Sequence, residues 1–421
     1  MQAVLQVLCG TLLPLLLLGV GAYFMLLLLP SLAKRRGKGG GGSLRSLAVA
    51  LSGTLGVGNI AGVALAIALG GAGAVFWMWV SALFAMLLKY AEVVLAVRTR
   101  RYDAEGRAHG GAYYYIKVAF GGRLGKGLGA LFAALCALCS LLLGGVLQSA
   151  VAAEAASAAF GVSPLAVGVT LGVLGGAVLF CGAKGVERAC GAVLPVVCVL
   201  FCLASLAAIL SRRAELPRVF AAIFEGAFCV QSAAGGVLGV LTSRAVRYGV
   251  TRGLISNEAG CGTAPIAHAS AEVRCAREQG MLGILEVFVD TILLCTITAL
   301  VILLGGVSPT GEGGMRLALE SYAALLGGIA APSLAFCVLL FAFATVLCWS
   351  HYGAEALCYL TGRARPPRLH PVLVALACVL GAVAAPGVVW DLTDLLLALM
   401  TLLNLAALLA LRREVKEETE I

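Results

Sequence analysis

Apolar residues fall into eleven long runs along this 421-residue chain, and polar stretches separate the runs. A helix that crosses a bilayer needs about 20 mostly apolar residues, and most of the runs reach that length. The pattern therefore predicts eleven membrane spans, with the longest polar stretches at 98–126, 243–280 and 306–331. The predicted spans are 8–31, 45–69, 74–97, 127–157, 164–182, 188–211, 219–241, 281–305, 332–360, 371–386 and 391–411.

Two of the predicted spans are interrupted by glycine and polar residues. The first interruption, at 52–63, reads SGTLGVGNIAGV, and the second, at 231–236, reads QSAAGG. Unpaired backbone groups are costly in hydrocarbon, so we expect a broken helix at membrane depth only where it lines a protein cavity. The N–H groups of one half-helix can hold a carboxylate, and the carbonyls of the other can hold a cation. A small-residue packing face is the alternative interpretation of 231–236.

The ten spans after the first divide into two halves of five, and each half begins with an interrupted span. Because five is odd, the two halves must cross the membrane in opposite directions. We predict an all-α membrane protein with an N-terminal extra helix and linker at 1–44, a first repeat at 45–211, a second at 219–411 and a charged tail at 412–421. Paired interrupted helices in inverted halves indicate the substrate site of a secondary transporter.

Composition and charge placement support a membrane protein. The chain is 61% hydrophobic and only 12% charged, against roughly 25% charged residues in soluble domains, so a cytosolic protein is excluded. If the N-terminus lies outside, most of the 30 lysines and arginines fall in loops on the cytoplasmic side, as topology requires. We therefore predict a multi-pass protein of the cell membrane with a cytoplasmic C-terminus, in which 243–280 forms short helices of a cytoplasmic gate.

Motifs of other function classes are missing from the sequence. The chain contains no Gly-x-Ser-x-Gly, His-Glu-x-x-His or Walker motif, which disfavours hydrolases and ATP-driven pumps. Its four histidines show no metal-ligand spacing, and its one Cys-x-x-Cys, Cys136 to Cys139, lies in an apolar run with no histidine beside it, which disfavours a zinc or redox site. We expect no enzymatic activity, no cofactor and no nucleic-acid partner. A channel or a membrane-embedded enzyme is a less favoured alternative.

Several blocks of the sequence resemble the alanine/glycine:cation symporter family, and the match runs from about 45 to 362. The resemblance implies a LeuT-like core of five plus five helices and a function in which sodium, or in some members protons, drives uptake of alanine or glycine. In one departure from the family pattern, a Ser-Thr pair reads Ala344-Thr345 here, which removes one hydroxyl. The matching blocks are 52–63, 73–82, 89–92, 253–260, 264–268, 290–292 and 349–353.

Substrate residues follow from the first interruption and from the family pattern. A carboxylate would bind near Gly56 and Gly58, and an ammonium would bind freed carbonyls and glutamine oxygens. Trp349 is the candidate that closes the pocket above a methyl group. Each glutamine could instead make only an interhelical hydrogen bond, and a tryptophan in a span is often a packing residue. The complete set of substrate candidates is Thr54, Gly56, Gly58, Asn59, Gln148, Gln231 and Trp349.

Sodium ligands are implied by analogy with LeuT-like folds. One site would use the main-chain carbonyls of Ser52 and Leu55 with the hydroxyl of Thr345. A second would use Thr54 and Asn59, close to the substrate. Threonine hydroxyls in membrane helices often bond back to their own helix instead.

Ionisable residues inside membrane spans are functional candidates by default. Asp290 lies ten residues inside its predicted span and could bind a cation, relay a proton or anchor a broken helix. A proton-coupled carrier that uses Asp290 is therefore the alternative to sodium symport. Lys89 and Glu92 are three residues apart and are expected to pair on one helix face.

Overall fold

The computed structural model describes residues 8–34, 43–228, 244–271, 273, 275–308, 314–384 and 386–420, and it is 87% helical. The helices in chain order are α1 Leu13–Lys34, α2 Leu44–Thr54, α3 Ala61–Gly70, α4 Gly73–Thr99, α5 Ala112–Phe120, α6 Gly122–Phe160, α7 Pro164–Phe180, α8 Gly182–Ser211, α9 Leu216–Phe228, α10 Arg244–Asn257, α11 Pro265–Ala269, α12 Ala276–Gly305, α13 Gly314–Leu326, α14 Ala330–Thr361, α15 His370–Val383, α16 Pro386–Ala410 and α17 Arg412–Glu420. One antiparallel hairpin, β1 Arg101–Tyr102 with β2 Ala108–His109, joins α4 to α5.

Among the described residues, seven helices are long and apolar enough to cross a membrane, and the bent pair α2 and α3 counts as an eighth. The shorter apolar helices α7 and α15 coincide with the predicted spans 164–182 and 371–386. Of the predicted span 219–241, α9 covers only the first part, since 229–243 lies outside the described residues. The prediction of an all-α membrane protein with many spans is confirmed.

The connection between α3 and α4 shows how local chemistry sets the helix ends. Gly71 takes a φ of +74°, a backbone region that glycine enters without steric cost. The chain therefore turns sharply and runs back along α3 as α4. Gly73, at the start of α4, lies so close to Gly226 of α9 that an added Cβ would clash with its backbone.

Helix α10 lies in the polar stretch 243–280, which the sequence predicts to form short helices of a cytoplasmic gate; the short helices α10 and α11 are present, and their role as a gate stays a prediction. It packs along α3 and α4. Its first residue, Arg244, lies beside Gly70 at the α3–α4 connection. Its last turn, which includes Ser256, lies beside Gly58 in the first interruption. Helix α10 therefore runs from the α3–α4 end of the bundle to its middle.

The opposite end of the bundle gathers basic residues from several connections. Arg98 at the end of α4 pairs with Glu418 of α17 at 3.5 Å. Arg365, after α14, reaches Glu105 of the hairpin at 3.5 Å. The end of α4, the hairpin and α17 thus share one face of the molecule.

Candidate functional site

The first helix break lies between α2 and α3, where the sequence predicts an interruption. Helix α2 ends at Thr54, a 3-10 turn covers Val57–Asn59, and α3 begins at Ala61. The two half-helices bend by 58° relative to each other. All residues of 52–63 except Gly58 are buried, so the peptide groups of the break face protein.

Gly56 is the point at which two other helices approach the break. A Cβ built on Gly56 would lie 2.6 Å from Thr345 Oγ1 and 3.2 Å from Gln148 Oε1. The absence of a side chain therefore lets α14 and α6 reach the main chain here. The structure thus brings together Gly56, Thr345 and Gln148, all three of which the sequence predicts as site residues.

The predicted ligands of the first sodium site face one another across the contact between α2 and α14. Thr345 Oγ1 donates to the carbonyl oxygen of Ser52 at 3.0 Å and lies 3.5 Å from that of Leu55. Carbonyls at the end of a helix have no amide partner in a following turn, which makes these two oxygens available. Ala344, the residue before Thr345 in α14, is fully buried.

Asn59 connects the break to Asp290 of α12. Its Nδ2 donates to Asp290 Oδ1 at 2.6 Å, and its Oδ1 accepts the N–H of Gly56 at 3.2 Å. The second oxygen of Asp290 accepts hydrogen bonds from Ser256 and Thr291, each at 2.7 Å. Asp290 thus ties α10 and α12 to the first break.

Thr54 and Gly58 make weaker contacts than their neighbours. Thr54 Oγ1 lies 3.4 Å from each of two carbonyl oxygens in its own helix, those of Ala50 and Leu51. A Cβ on Gly58 would meet only the Cα of Ser256, at 3.7 Å. The side chains of Thr54 and Asn59 bond to different partners, so their grouping as a second sodium site stays a prediction.

Two further candidates border the same region. Gln148 Oε1 accepts the N–H of Val57 at 3.3 Å. Trp349 follows Thr345 by one helical turn on the same face of α14, and its Nε1 donates to Glu258 Oε1 at 2.8 Å. Gln231 and the predicted second interruption at 231–236 lie outside the described residues.

A second helix break lies between α10 and α11, at 258–264. Glu258, Gly260 and Gly262 all have positive φ angles, of 53°, 85° and 76°. Gly262 donates its N–H to Glu92 Oε1 at 2.9 Å, and the carbonyl of Gly260 accepts from Asn404 at 2.8 Å. Helices α4 and α16 therefore satisfy the backbone groups that the break leaves unpaired.

Sequence reasoning missed this second break, although a signal was present. The segment SNEAGCG at 256–262 combines polar residues with two glycines, as the first interruption does. The arginines of α10 made the stretch resemble a loop. The two breaks lie next to each other, because Ser256 at the end of α10 touches Gly58 and bonds to Asp290.

A chain of buried polar groups links the start of α2 to α4 and α12. Lys89 pairs with Glu286 at 3.3 Å, Glu286 bonds to His268 at 2.9 Å, and His268 contacts Gln279 at 2.6 Å. Gln279 in turn accepts the N–H of Ser43, the N-cap of α2. Lys89 thus pairs across helices and not, as expected, with the glutamate on its own helix.

A cavity of about 350 Å³ begins at Ala61, the first residue of α3. On its wall Arg252 pairs with Asp394 at 3.2 Å, and the guanidinium lies 4.9 Å from the centre of the Trp390 ring. A volume of this size fits a small organic molecule. The charged residues that line the cavity are Glu154, Arg247, Arg252, Asp391 and Asp394.

Comparison with known proteins shows the family of the chain. The family model described as "Sodium:alanine symporter family" matches residues 1–420. The sodium/alanine symporter AgcS of Methanococcus maripaludis is 38% identical over 384 residues, which is 89% of this chain and 83% of the relative. Two Bacillus subtilis proteins are also similar to this chain over most of its length.

The first, described as the probable sodium/glutamine symporter GlnT, is 34% identical over 91% of this chain and 79% of its own length. The second, described as the putative sodium/proton-dependent alanine carrier protein YrbD, is 35% identical over 88% of this chain and 78% of its own length. The family and these relatives are transporters, and the family name implies sodium as the coupling ion. With its family match over nearly the whole length and its apolar helices, the chain is a multi-pass membrane protein that belongs to the sodium:alanine symporter family.

Proposed function

We propose that the protein carries a small neutral amino acid, alanine or glycine, into the cell together with sodium. The observation that carries the proposal is that both helix breaks share one buried hydrogen-bond network. Asn59 of the first break and Ser256, two residues before the second, both donate to Asp290. Solute and ion would bind between the breaks, where main-chain groups are exposed to each other and not to lipid.

The first sodium ion would bind the carbonyls of Ser52 and Leu55 and the hydroxyl of Thr345. Both carbonyl oxygens lie within 3.5 Å of the Thr345 hydroxyl, and a hard cation prefers oxygen ligands of this kind. On sodium binding, the Thr345 hydroxyl would turn its hydrogen away and offer a lone pair. Thr54 and Asn59 form the proposed second site.

The amino-acid carboxylate would bind at the start of α3. The N–H groups of the first turn precede the first i to i−4 hydrogen bond, which runs from Ala64 to Ile60, and such groups attract anions. The N–H of Val57 would exchange its bond to Gln148 for one to the carboxylate. The released Gln148, together with Gln231, would then accept from the ammonium group.

The side chain of the substrate would lie between Gly56, Gly58 and the indole of Trp349. Gly56 leaves room only as far as Thr345 and Gln148 permit. A rigid aromatic wall would accept a hydrogen or a methyl group and reject longer side chains by collision. One extra methylene in such a pocket changes binding by about 1–3 kcal/mol.

The proposed architecture is a LeuT-like core of five plus five inverted helices behind one extra helix, eleven spans in all. The first repeat would cover 45–211 with its break in α2–α3, and the second 219–411 with its predicted interruption at 231–236, to which the structure adds the break in α10–α11. Because basic connections collect at the end that holds Arg98 and Arg365, that end would be cytoplasmic and the N-terminus outside. The cavity beside Ala61 would then be the outer vestibule.

Sodium entry would drive uptake. A cation that enters an inside-negative cell gains about 2.3 kcal/mol per 100 mV, which corresponds to about fiftyfold accumulation of solute. Proton coupling through Asp290 is the less favoured alternative, since both carboxyl oxygens already accept hydrogen bonds from neighbouring side chains.

The test is uptake of labelled alanine into proteoliposomes that contain the purified protein. We expect uptake to require an inward sodium gradient and to be inhibited by unlabelled glycine and alanine. Uptake driven equally well by a pH gradient without sodium would favour the proton-coupled carrier. Equilibration without counterflow would indicate a pore and would contradict the proposal.

A further inference from the structure

The indole of Trp349 is held at its polar edge by a single carboxylate. Trp349 Nε1 donates to Glu258 Oε1 at 2.8 Å, and the other oxygen of Glu258 accepts the hydroxyl hydrogen of Thr263 at 2.8 Å. Trp349 is 0% exposed and Glu258 only 2%. Both carboxyl oxygens are therefore occupied in holding the ring and the chain around the second break.

Glu258 has an unusual backbone conformation, which directs its side chain toward Trp349. Its φ of 53° makes it the one non-glycine residue with a positive φ in the part of the chain that the structure describes. Side chains other than glycine rarely adopt such angles, and they persist only where the surroundings over-determine them. The position aims a carboxylate from the break of α10–α11 toward α14.

The far side of the indole is fixed by close helix packing. A Cβ built on Gly144 would lie 2.4 Å from the Cβ of Trp349, so α6 touches α14 at the base of the ring. Tyr352 packs against the ring edge-on, with centroids 5.6 Å apart. The ring has contacts at its base, its edge and its N–H, and these leave it one orientation.

We propose that Glu258 is a positioning residue that fixes the indole of Trp349 as a rigid pocket wall and so sets the upper size limit of the transported amino acid. This inference rests on the proposed function, in which Trp349 faces the substrate side chain. Glu258 acts through the ring and makes no contact with the substrate. The positioning of the indole depends on the Glu258 oxygen as a hydrogen-bond acceptor and not on the charge of the carboxylate.

The test compares two substitutions of similar length. Glu258→Gln keeps an oxygen that can accept the indole N–H, whereas Glu258→Met removes it. The measured quantity is the inhibition of sodium-driven alanine uptake by glycine, 2-aminobutyrate, valine and glutamine. We expect Glu258→Met to lower discrimination against 2-aminobutyrate about tenfold, which is the effect of a loosened wall on one methylene. Glu258→Gln should keep the wild-type order and ratios.

Trp349→Phe tests the same contact from the other side, and it does so even where Glu258→Met gives no folded protein. The phenyl ring has no N–H and is also smaller than the indole, so we expect at least the loss of discrimination seen in Glu258→Met. Combining the two changes should give no more loss than Trp349→Phe alone, because without the indole N–H the side chain at 258 has no bond to the ring to lose.

Three results would overturn the inference. The first is an unchanged size series in Trp349→Phe. The second is additive effects in the double variant. The third is a Glu258→Gln variant that loses sodium dependence, because that would assign the role to the charge. Failure of the proposed function is a separate result, since wild-type protein would then show no sodium-dependent uptake of any amino acid in the series.

Discussion

Asn59 Nδ2 and Asp290 Oδ1 lie 2.6 Å apart, and this hydrogen bond joins the first helix break to α12. The same asparagine accepts the N–H of Gly56, so one side chain satisfies a backbone group inside the break and a carboxylate outside it. Both residues are buried. The geometry of the break therefore depends on a contact between residues 231 positions apart.

Asn59→Ala should reduce alanine uptake to less than about 1% of wild type while the protein stays in the membrane. The change leaves one oxygen of the buried Asp290 carboxylate without its side-chain donor, a defect that costs about 1–3 kcal/mol and more for a charged group. Uptake in vesicles and the amount of protein in the membrane fraction are the two measurements. Normal uptake with normal sodium dependence would contradict the role given to Asn59.

Gly56→Ala should abolish uptake, because the new methyl group would lie 2.6 Å from Thr345 Oγ1. The side chain of Thr345 must then move away from the carbonyls that it bonds. A matched control is Gly191→Ala on the exposed face of α8, where an added Cβ meets no atom within 4 Å. Wild-type transport by Gly56→Ala would mean that the break is looser than its contacts indicate.

Ala344→Ser should tighten the apparent affinity for sodium, since it restores a hydroxyl beside Thr345 that the family pattern carries. We expect a severalfold lower sodium concentration at half-maximal uptake. Thr345→Val removes a hydroxyl with little change in shape and should raise that concentration at least tenfold. The account of this site is contradicted if Ala344→Ser leaves sodium affinity unchanged and Thr345→Val transports normally.

How far the sequence predicts the structure depends on whether the signal is local. The first break could be predicted because its glycines and polar residues interrupt an apolar run within twelve residues. The second has a similar glycine signal, but the buried Arg252 of α10 obscures it, because an arginine in isolation indicates a loop. Arg252 tolerates burial because Asp394 of α16, 142 positions away, pairs with it. Sequence patterning does not reveal such long-range pairs.

Some site residues could be predicted from the sequence, and others could be identified only from long-range contacts in the structure. The contact of Thr345 with the α2 carbonyls matches what the family resemblance implied, and the resemblance itself rested on long sequence blocks. Glu258 is not among the site residues that the sequence predicts, although it lies inside one of those blocks. Its function as a partner of Trp349 depends on a positive φ and a contact between two helices, and neither follows from residue type.

The hairpin after α4 should make stability depend on pH. The hydrogen bond to Glu355 of α14 raises the pKa of His109 from 6.5 to about 9. Because the folded pKa is raised, the stabilisation is fully present below about pH 6.5 and is lost as the pH rises through about 9. Thermal unfolding of the purified protein from pH 6 to pH 10 should show this fall.

The control for the pH effect is His109→Asn, which cannot carry the proton. Its melting temperature should lie below that of wild type near pH 6 and approach it above pH 9. Parallel curves for the two proteins across that range would mean that the link between His109 and Glu355 does not contribute to stability.

The central claim is that sodium and the amino acid occupy one shared site between the two helix breaks. Its most direct test is equilibrium binding of labelled alanine to the purified protein in sodium chloride and in choline chloride of equal ionic strength. We predict that alanine binds at least tenfold more tightly with sodium, and that saturating alanine raises sodium affinity by the same factor, because coupling between two sites is reciprocal. Equal alanine binding in the two salts would contradict the account.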